Sequence, residues 1–200
     1  MARTQAENYP EIRREILRRS AALFARLGYP NASIADLAEA NKVSRGLLYH
    51  YFDSKEKILA EMLHEHLDML LAEVRRAAAR ADNGLGDADT RLRETVRTMV
   101  SINAESQDLQ VVLLHDLQNL KPAERAAIVG KQREIIRIVG DLVAACDTRG
   151  KVTRRTQMAA TMMLIGMINY TYLWYDPAGA VKPAEYAAMV ADNFLGGLRA

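Results

Sequence analysis

SIADLAEANKVSRGLLYHYF, residues 33–52, contains two short amphipathic segments joined by a polar turn. Ser33 can cap a first helix through its hydroxyl, and Asp36 stands where its charge meets the positive end of the helix dipole. Three apolar residues then share one helical face: Ile34, Leu37 and Ala38. Asn41 follows them, and asparagine tolerates the left-handed backbone that a sharp turn requires. The first segment therefore predicts a capped helix that ends in a tight turn.

The second segment predicts a helix of about two turns from Arg45 to Tyr51, capped by Ser44. Leu48 and Phe52 point inward in this helix, and four residues are left on its outward faces: Arg45, Gly46, Tyr49 and His50. A small, exposed N-terminal end suits close approach to base edges in the major groove of DNA. The two helices together predict a helix-turn-helix.

A third helix is predicted to begin after Asp53, which forms another D-x-x-E cap with Glu56. The residues around this start offer several donors to DNA phosphates: Tyr49, His50, Tyr51, Lys55 and Lys57. The alternative is a set of short helices in an all-α domain whose tyrosines fill the core. We favour DNA binding, with Arg45 and Gly46 near bases. The other DNA-binding residues are predicted to be Ser33, Ser44, Tyr49, His50 and Lys55.

The same stretch resembles the N-terminal domain of TetR-type transcriptional regulators, in which S-I-x-x-[IL]-A, a turn, V-S, a short helix, Y-x-[YH]-F and S-K-E follow a first helix. The resemblance covers roughly residues 10–60. A run of spaced matches is much harder to obtain by chance than one short motif. The matching residues are Ser33-Ile34, Leu37-Ala38, Val43-Ser44, Leu48-Tyr49-His50-Tyr51-Phe52 and Ser54-Lys55-Glu56. Asn41 stands where the family usually has glycine, which is a sterically mild departure.

This resemblance implies two domains in an all-α chain. Residues 8–54 would form a three-helix helix-turn-helix DNA-binding domain, and residues 55–200 a helical effector-binding and dimerisation domain. The composition agrees, because the 200 residues are 50% hydrophobic, enough to bury a core, and proline is scarce.

Positive charge is concentrated near the start of the chain although the net charge is only +2. Such a concentration would attract DNA phosphates in a salt-dependent manner. The basic residues of this region are Arg3, Arg13, Arg14, Arg18, Arg19 and Arg26. The alternative, which applies above all to Arg14 and Arg18, is that the arginines pair along a solvated helix face with Glu7, Glu11 and Glu15.

A cytoplasmic protein without a membrane partner is expected. Cys146 is the single cysteine, so it cannot form an internal disulfide, and no basic-then-apolar leader opens the chain. Residues 156–175 lack charge over a length that suggests a membrane span. Polar residues interrupt this segment, however, and charges bracket it closely. We therefore favour a helix buried in a soluble bundle, or one shared between a pocket and a partner.

A helix predicted over residues 153–175 has a face that could contact a small molecule. At i, i+4, i+7 and i+11 this face carries Met163, Met167, Tyr170 and Trp174. Methionine adapts to irregular shapes and aromatic rings offer wide apolar contact. Ordinary core packing explains the set equally well. Because the resemblance implies an effector site in the C-terminal domain, we predict effector contacts from these four residues and from Asn169 and His115.

The last predicted helix, residues 183–198, has an apolar stripe that could form half of a four-helix interface between two copies. The stripe consists of Tyr186, Met189, Val190 and Phe194. TetR-like proteins dimerise through their last two long helices, so the resemblance implies a homodimer. Two recognition helices about 34 Å apart would then contact successive turns of a roughly palindromic operator.

Catalysis, cofactors and metal binding are not expected. His64 and His66 are two residues apart, so they point apart on a helix and cannot chelate one metal as an H-E-x-x-H pair does. His64 and Asp68 have i,i+4 spacing, for which a surface ion pair is the commoner outcome. Cys146 is expected to be a buried, inert thiol.

The predicted function is that of a repressor released from its operator by a small apolar or amphipathic effector, which need favour one state by only a few kcal/mol. Residues 169–175, followed by Asp176-Pro177, resemble a segment of TetR-type regulators of fatty-acid, steroid or phenylacetate catabolism. Several of those regulators respond to acyl-CoA thioesters, which implies arginines at the mouth of the pocket. A multidrug-type sensor of an efflux gene is the alternative, and buried acidic residues would favour it.

Overall fold

The computed structural model describes residues 9–79 and 87–200. These residues form nine α-helices and three 3₁₀ turns without any strand, which confirms the all-α prediction. The α-helices are α1 (Tyr9–Leu27), α2 (Ile34–Asn41), α3 (Arg45–Tyr51), α4 (Lys55–Ala79), α5 (Ala88–Glu105), α6 (Gln107–His115), α7 (Pro122–Cys146), α8 (Gln157–Asn169) and α9 (Pro183–Arg199). The 3₁₀ turns are Tyr29–Asn31, Leu117–Asn119 and Tyr170–Leu173.

The chain divides into two compact units. The first unit holds the described residues up to His66 together with Asp108–Ile128. The second unit holds the described residues of Leu67–Gln107 and Val129–Ala200. The domain boundary between residues 54 and 55 stays a prediction.

In the first unit, α1 and the start of α4 supply much of the core around the helix-turn-helix. The buried face of α1 follows the helical repeat, because its apolar residues lie three and four apart. Leu48 and Phe52 are buried, as predicted for the inner side of α3. Arg13 of α1 forms ion pairs with Glu61 and Glu65 of α4, and its guanidinium lies 5.4 Å from the centre of the Phe52 ring. The core and these ion pairs together hold α1 against α4.

In the second unit, α5 packs against α9, and α8 contacts both helices. Arg93 of α5 pairs with Asp192 of α9 at 2.6 Å, and Asp89 pairs with Arg199 near the end of α9. Gly140 of α7 is close to α8, since a Cβ atom there would lie 3.1 Å from Thr161 Oγ1. These contacts join four helices into one body.

α8 is shorter than the helix predicted over residues 153–175. It begins only at Gln157, after a turn in which the backbone N–H of Thr153 donates to Thr156 Oγ1 at 2.9 Å. At the other end the Thr171 hydroxyl donates to the Ile168 carbonyl at 2.8 Å, a bond that competes with regular helix bonding. The chain tightens there into a 3₁₀ turn. Across residues 9–79 and 87–200, no helix combines the length and the apolar character needed to cross a bilayer.

Candidate functional site

The start of α2 is fixed by the predicted capping box. Ser33 Oγ accepts the backbone N–H of Asp36 at 3.1 Å, and the Asp36 carboxylate accepts the backbone N–H of Ser33 at 2.8 Å. The hydrogen bonds from Ser33 lower the pKa of Asp36 below its ordinary value. Two helix-end N–H groups are thereby satisfied, which holds the exposed Ser33 at the first turn of the motif.

The turn between α2 and α3 is made differently from the prediction. Lys42, with φ of 56°, takes the left-handed conformation that was assigned to Asn41. The Asn41 side chain is buried instead, and its Nδ2 donates to the Leu37 carbonyl at 2.8 Å and to Ser20 Oγ at 3.3 Å. The hydrogen bonds of its buried amide thus keep Asn41 helical. The solvent-exposed Lys42 adopts the strained left-handed backbone conformation instead.

The recognition helix α3 presents an exposed N-terminal end. Ser44 Oγ accepts the backbone N–H of Leu47 at 3.1 Å, which confirms the predicted cap. A Cβ atom at Gly46 would meet only Ser44 Oγ, at 3.9 Å, so the fold itself does not require glycine there. Five residues of α3 are exposed: Arg45, Gly46, Leu47, Tyr49 and His50. Leu47 was not among the predicted contact residues, because the sequence does not show that a leucine beside the buried Leu48 is exposed.

An aromatic cluster joins the start of α1 to the end of α3. The Tyr9 ring stacks on Tyr51 at a centroid distance of 4.6 Å and meets His50 edge-on at 6.2 Å. Tyr49 is not part of this cluster and is 51% exposed. The Tyr49 side chain is therefore accessible to a ligand on the outer side of α3. The His50 imidazole already contacts the Tyr9 ring.

Lys55 lies at the start of α4 and points into the protein. Its Nζ donates to the carbonyls of Tyr29 at 2.9 Å and Ala32 at 2.8 Å, and lies 4.1 Å from the centre of the Tyr29 ring. These contacts give Lys55 a structural role, and its phosphate contact stays a prediction. The cap of α4 is Ser54, whose Oγ accepts the backbone N–H of Lys57 at 3.1 Å, so the prediction of Asp53 as the cap is wrong.

Much of the positive charge on α1 is paired. Glu15 accepts from Arg18 at 2.7 Å and from Arg19 at 2.6 Å, and the bonds from Arg18 and Arg19 lower the pKa of Glu15 to about 2. The alternative of ion pairing is therefore confirmed for Arg18. Arg14 donates instead to the Pro10 carbonyl at 3.3 Å. Arg3 and Glu7 lie outside the described residues.

The four residues predicted to share one helical face are all exposed to solvent in the single chain. Met163, Met167, Tyr170 and Trp174 are between 37% and 64% exposed in the single chain. They belong to an open apolar surface of α8, the 3₁₀ turn and α9, which we call the methionine face. The other exposed residues of this face are Met158, Met162, Leu173 and Met189. The predicted effector contacts of Met163, Met167, Tyr170 and Trp174 stay a prediction.

The remaining predicted effector residues are Asn169 and His115. Asn169 Oδ1 accepts from Asn103 Nδ2 at 3.3 Å, so its amide is turned toward α5. His115 ends α6 in the first unit, whereas Asn169 belongs to the second. The six predicted effector residues are therefore divided between the two units, and their effector contacts stay a prediction.

The stripe predicted for dimerisation is divided between two sides of α9. Val190 and Phe194 are only 4% and 7% exposed because they pack into the core of the second unit, so assigning them to a partner is wrong. Met189 lies on the exposed side at 49%. Tyr186 is half-buried and donates its hydroxyl to the Met167 carbonyl at 2.7 Å.

Sequence analysis also missed two adjoining clefts of the second unit. Met69, Arg97 and Ile102 line one cleft together with Glu73, Thr98, Ser101 and Ala184. Arg97 also lines the other, with Arg93, Glu94 and several small residues of α9. Arg97 bonds to Glu94 at 2.6 Å. The helical repeat of α5 could have shown that these arginines share a face, but not which element lies beside them.

The titratable groups singled out for catalysis have ordinary structural partners. His64 Nε2 lies 2.7 Å from Glu124 Oε2, and Asp68 pairs with Lys131 at 2.6 Å. Burial raises the pKa of the Cys146 thiol to about 12, so the thiolate is not formed near neutral pH. Within the described ranges, no group of three or more His, Cys, Asp or Glu side chains could hold a metal ion.

Comparison with known proteins confirms the resemblance found in residues 33–56. Residues 16–62 match the family described as bacterial regulatory proteins, tetR family, and residues 85–198 match the tetracyclin repressor-like C-terminal domain. The HTH-type transcriptional repressor KstR2 of Rhodococcus jostii is 35% identical over 188 residues, which cover 93% of this chain and 90% of KstR2.

Two solved structures share the fold. A TetR-family transcriptional regulator from Bordetella parapertussis has a TM-score of 0.85 and 40% identity, over 92% of this chain and 94% of that one. AibR, solved in complex with isovaleryl coenzyme A and operator DNA, has a TM-score of 0.74 and 21% identity, over 93% of this chain and 97% of AibR. The chain belongs to the TetR family of bacterial transcriptional regulators.

Proposed function

We propose that the protein is a homodimeric repressor that binds a roughly palindromic operator and is released from it by an acyl-CoA thioester. The observation that carries the proposal is the exposed N-terminal end of α3, which is capped by Ser44 and held on the core through Leu48. A similar protein, KstR2, is a transcriptional repressor, which supports repression rather than activation. We place the protein in the cytoplasm because its target is chromosomal DNA.

The operator contacts are proposed on the exposed residues of α2 and α3. Arg45 and the bare backbone of Gly46 stand at the end of α3 that enters the major groove in helix-turn-helix proteins. Arginine at such a position pairs with guanine through two parallel hydrogen bonds. The phosphate contacts are assigned to hydroxyl and imidazole donors: Ser33, Ser44, Tyr49 and His50.

The dimer is proposed on the methionine face. This surface combines adjacent apolar side chains of α8, the 3₁₀ turn and α9, and large exposed apolar patches mark contact sites. A two-fold axis through it would pair α8 and α9 of one copy with the same helices of the other. Met163 and Tyr170, the most exposed of its residues predicted for the effector, would then contact the partner.

The effector is proposed to bind at the Arg97 clefts. Arg93 and Arg97 supply cations for the phosphates of coenzyme A, whereas Met69, Ile102 and Ala184 supply apolar surface for an acyl chain. AibR, whose fold this chain shares, has been solved with isovaleryl coenzyme A, which is an acyl-CoA thioester. Glu73 and Glu94 also line the clefts, and this observation keeps a multidrug-type sensor of cationic compounds as the second candidate.

A DNA-shift titration on the protein's own upstream intergenic sequence tests the proposal. Wild type, Arg97→Gln and a matched control, Arg137→Gln, are titrated with a series of acyl-CoA thioesters, with free coenzyme A and with an apolar quaternary ammonium cation. Arg137 is an exposed arginine of α7 outside the clefts, paired with Asp141 at 3.0 Å.

We expect one thioester to abolish the shift of wild type and of Arg137→Gln. Arg97→Gln should need about tenfold more thioester, because one charge-assisted contact is lost. Release by the ammonium cation alone would favour the multidrug-type sensor. A shift that none of the compounds alters would contradict effector release by these ligands.

A further inference from the structure

Asp116 is a buried carboxylate that holds a distant backbone amide. It follows α6 directly and is 5% exposed. Both of its oxygens lie 3.3 Å from the backbone nitrogen of Tyr29, which donates to them. Asn119 Nδ2 donates to the same carboxylate at 3.1 Å. Burial raises the pKa of Asp116, and the hydrogen bond from Tyr29 is the largest effect that opposes this shift.

Tyr29 is also held from its other side. The Lys55 ammonium donates to the Tyr29 carbonyl and lies against the face of the Tyr29 ring. The same ammonium donates to the Ala32 carbonyl, three residues further on. The backbone of Tyr29 is therefore bound at its N–H by a carboxylate and at its C=O by an ammonium. Charged partners make such hydrogen bonds roughly twice as strong as neutral ones.

These bonds fix the turn that leads into the helix-turn-helix. The turn begins at Gly28, whose φ of 76° favours glycine, continues through the 3₁₀ turn at Tyr29 and reaches the buried Ala32. Ser33, the cap of α2, is the next residue. Only three residues lie between the doubly held Tyr29 and Ser33, the first proposed phosphate contact, so the position of Tyr29 constrains that of Ser33.

Asp116 lies in a different family match from Tyr29 and Lys55. Asp116 falls within the C-terminal domain match, whereas Tyr29 and Lys55 fall within the N-terminal one. In the structure all three belong to the first compact unit, because the segment Asp108–Ile128 folds with the helix-turn-helix. This segment therefore connects the effector domain of the sequence to the turn that positions α2.

We propose that Asp116 is a positioning residue for operator binding, which acts through Tyr29 and together with Lys55 to hold the Gly28–Ser33 turn. Displacing the Asp108–Ile128 segment would loosen this turn and lower the affinity for the operator. The inference rests on operator binding by α3, and it adds the residues through which the C-terminal domain acts on the helix-turn-helix.

The experiment compares operator affinity among four full-length proteins: wild type, Asp116→Ala, the milder Asp116→Asn and the control Asp108→Ala. Asp108 is an exposed carboxylate of the same segment, so its replacement makes the same change in net charge. The DNA is a duplex that the wild-type protein itself selects from a random-sequence library. Fluorescence anisotropy gives the dissociation constants, and amide hydrogen exchange is measured at Tyr29 without DNA.

We expect Asp116→Ala to bind the operator about tenfold more weakly. The Gly28–Ser33 turn is disordered in this variant, so operator binding must order it again. Asp108→Ala should bind equally or slightly more tightly, because removal of a negative charge favours approach to DNA. Tyr29 exchange should quicken in both Asp116 variants and stay unchanged in Asp108→Ala. If Asp116→Ala fails to fold, Asp116→Asn decides by the same two measurements.

A double-mutant cycle with Lys55→Met separates positioning from a loss of general stability. Both residues act on Tyr29, so the double variant should lose less affinity than the product of the two single losses. Failure of the wild type to select any duplex would count against operator binding itself. Equal affinities of wild type and the Asp116 variants, or an equal loss in Asp108→Ala, would overturn the positioning role.

Discussion

His66 has a polar imidazole ring in a buried position. Its ring is 3% exposed among apolar residues of α4, and neither ring nitrogen has a hydrogen-bond partner among the residues that the structure describes. Burial lowers the pKa of His66 to about 4, so the folded protein holds this imidazole neutral at pH 7. Its protonation is therefore linked to unfolding.

We expect acid to destabilise the protein through His66. Between pH 6.5 and about pH 4 the unfolded chain binds a proton at this residue and the folded chain does not, so the free energy of unfolding falls as the pH falls. The loss contributed by His66 reaches up to about 3 kcal/mol. Urea unfolding at pH 7, 6 and 5 should show a smaller loss in His66→Leu than in wild type.

Tyr49 lies on the same helix as the proposed base contacts, and its phenol is exposed. Tyr49→Phe removes one phosphate donor and should weaken operator binding about threefold to tenfold without changing base preference. Anisotropy titrations that show equal affinity for the wild type and Tyr49→Phe would contradict the contact.

At the scale of elements, the α2–α3 turn of the helix-turn-helix has a lysine, Lys42, in its left-handed position. Asn41 is buried and helical, so the positive φ falls on Lys42. A lysine in this conformation bears steric strain between its Cβ and the following carbonyl. The strained residue is exposed, so another residue could occupy its position without disturbing the core.

We expect Lys42→Gly to raise the free energy of unfolding by up to about 1 kcal/mol, because glycine adopts positive φ without the steric penalty. Lys42→Ala loses the same charge but keeps the Cβ atom, so it isolates the backbone effect. Thermal and urea unfolding of the three proteins give the difference. Equal stabilities of the glycine and alanine variants would show that the turn is unstrained.

Sequence patterns predicted the elements well and the contacts between elements poorly. The cap at Ser33 depends on a partner three residues away, so it could be predicted locally. The role of Lys55 depends on the carbonyls of Tyr29 and Ala32, which only the folded chain brings near it. Likewise, helical spacing placed Val190 and Met189 in one stripe, yet packing against α5 decides that Val190 is covered and Met189 is not.

At the scale of the whole molecule, the protein is a DNA-binding transcriptional regulator of the TetR family and not an enzyme. The first unit carries the helix-turn-helix, and the second carries the methionine face and the Arg97 clefts. The proposed dimer gives the methionine face a function, because it would bury apolar side chains that a lone chain leaves in water.

We expect the double variant Met163→Glu/Met167→Glu to be monomeric. Four like charges would meet near the two-fold axis, and burying them without partners is strongly unfavourable. Leu114→Glu, at an exposed leucine of α6 outside the methionine face, is the control and should remain dimeric. Light scattering after size-exclusion chromatography gives the masses. A monomeric wild type, or a dimeric double variant, would contradict the assigned interface.

The paired arginines of α1 bear on how such a regulator finds one site in a whole chromosome. Arg13 is bound by Glu61 and Glu65, and Arg18 and Arg19 share Glu15. Cations that are already paired displace fewer counterions from DNA, so attraction to arbitrary sequence is weaker. Because a genome offers on the order of 10⁶ or more competing sites, fewer molecules are then held on irrelevant DNA. A small number of copies per cell would suffice to keep the operator occupied.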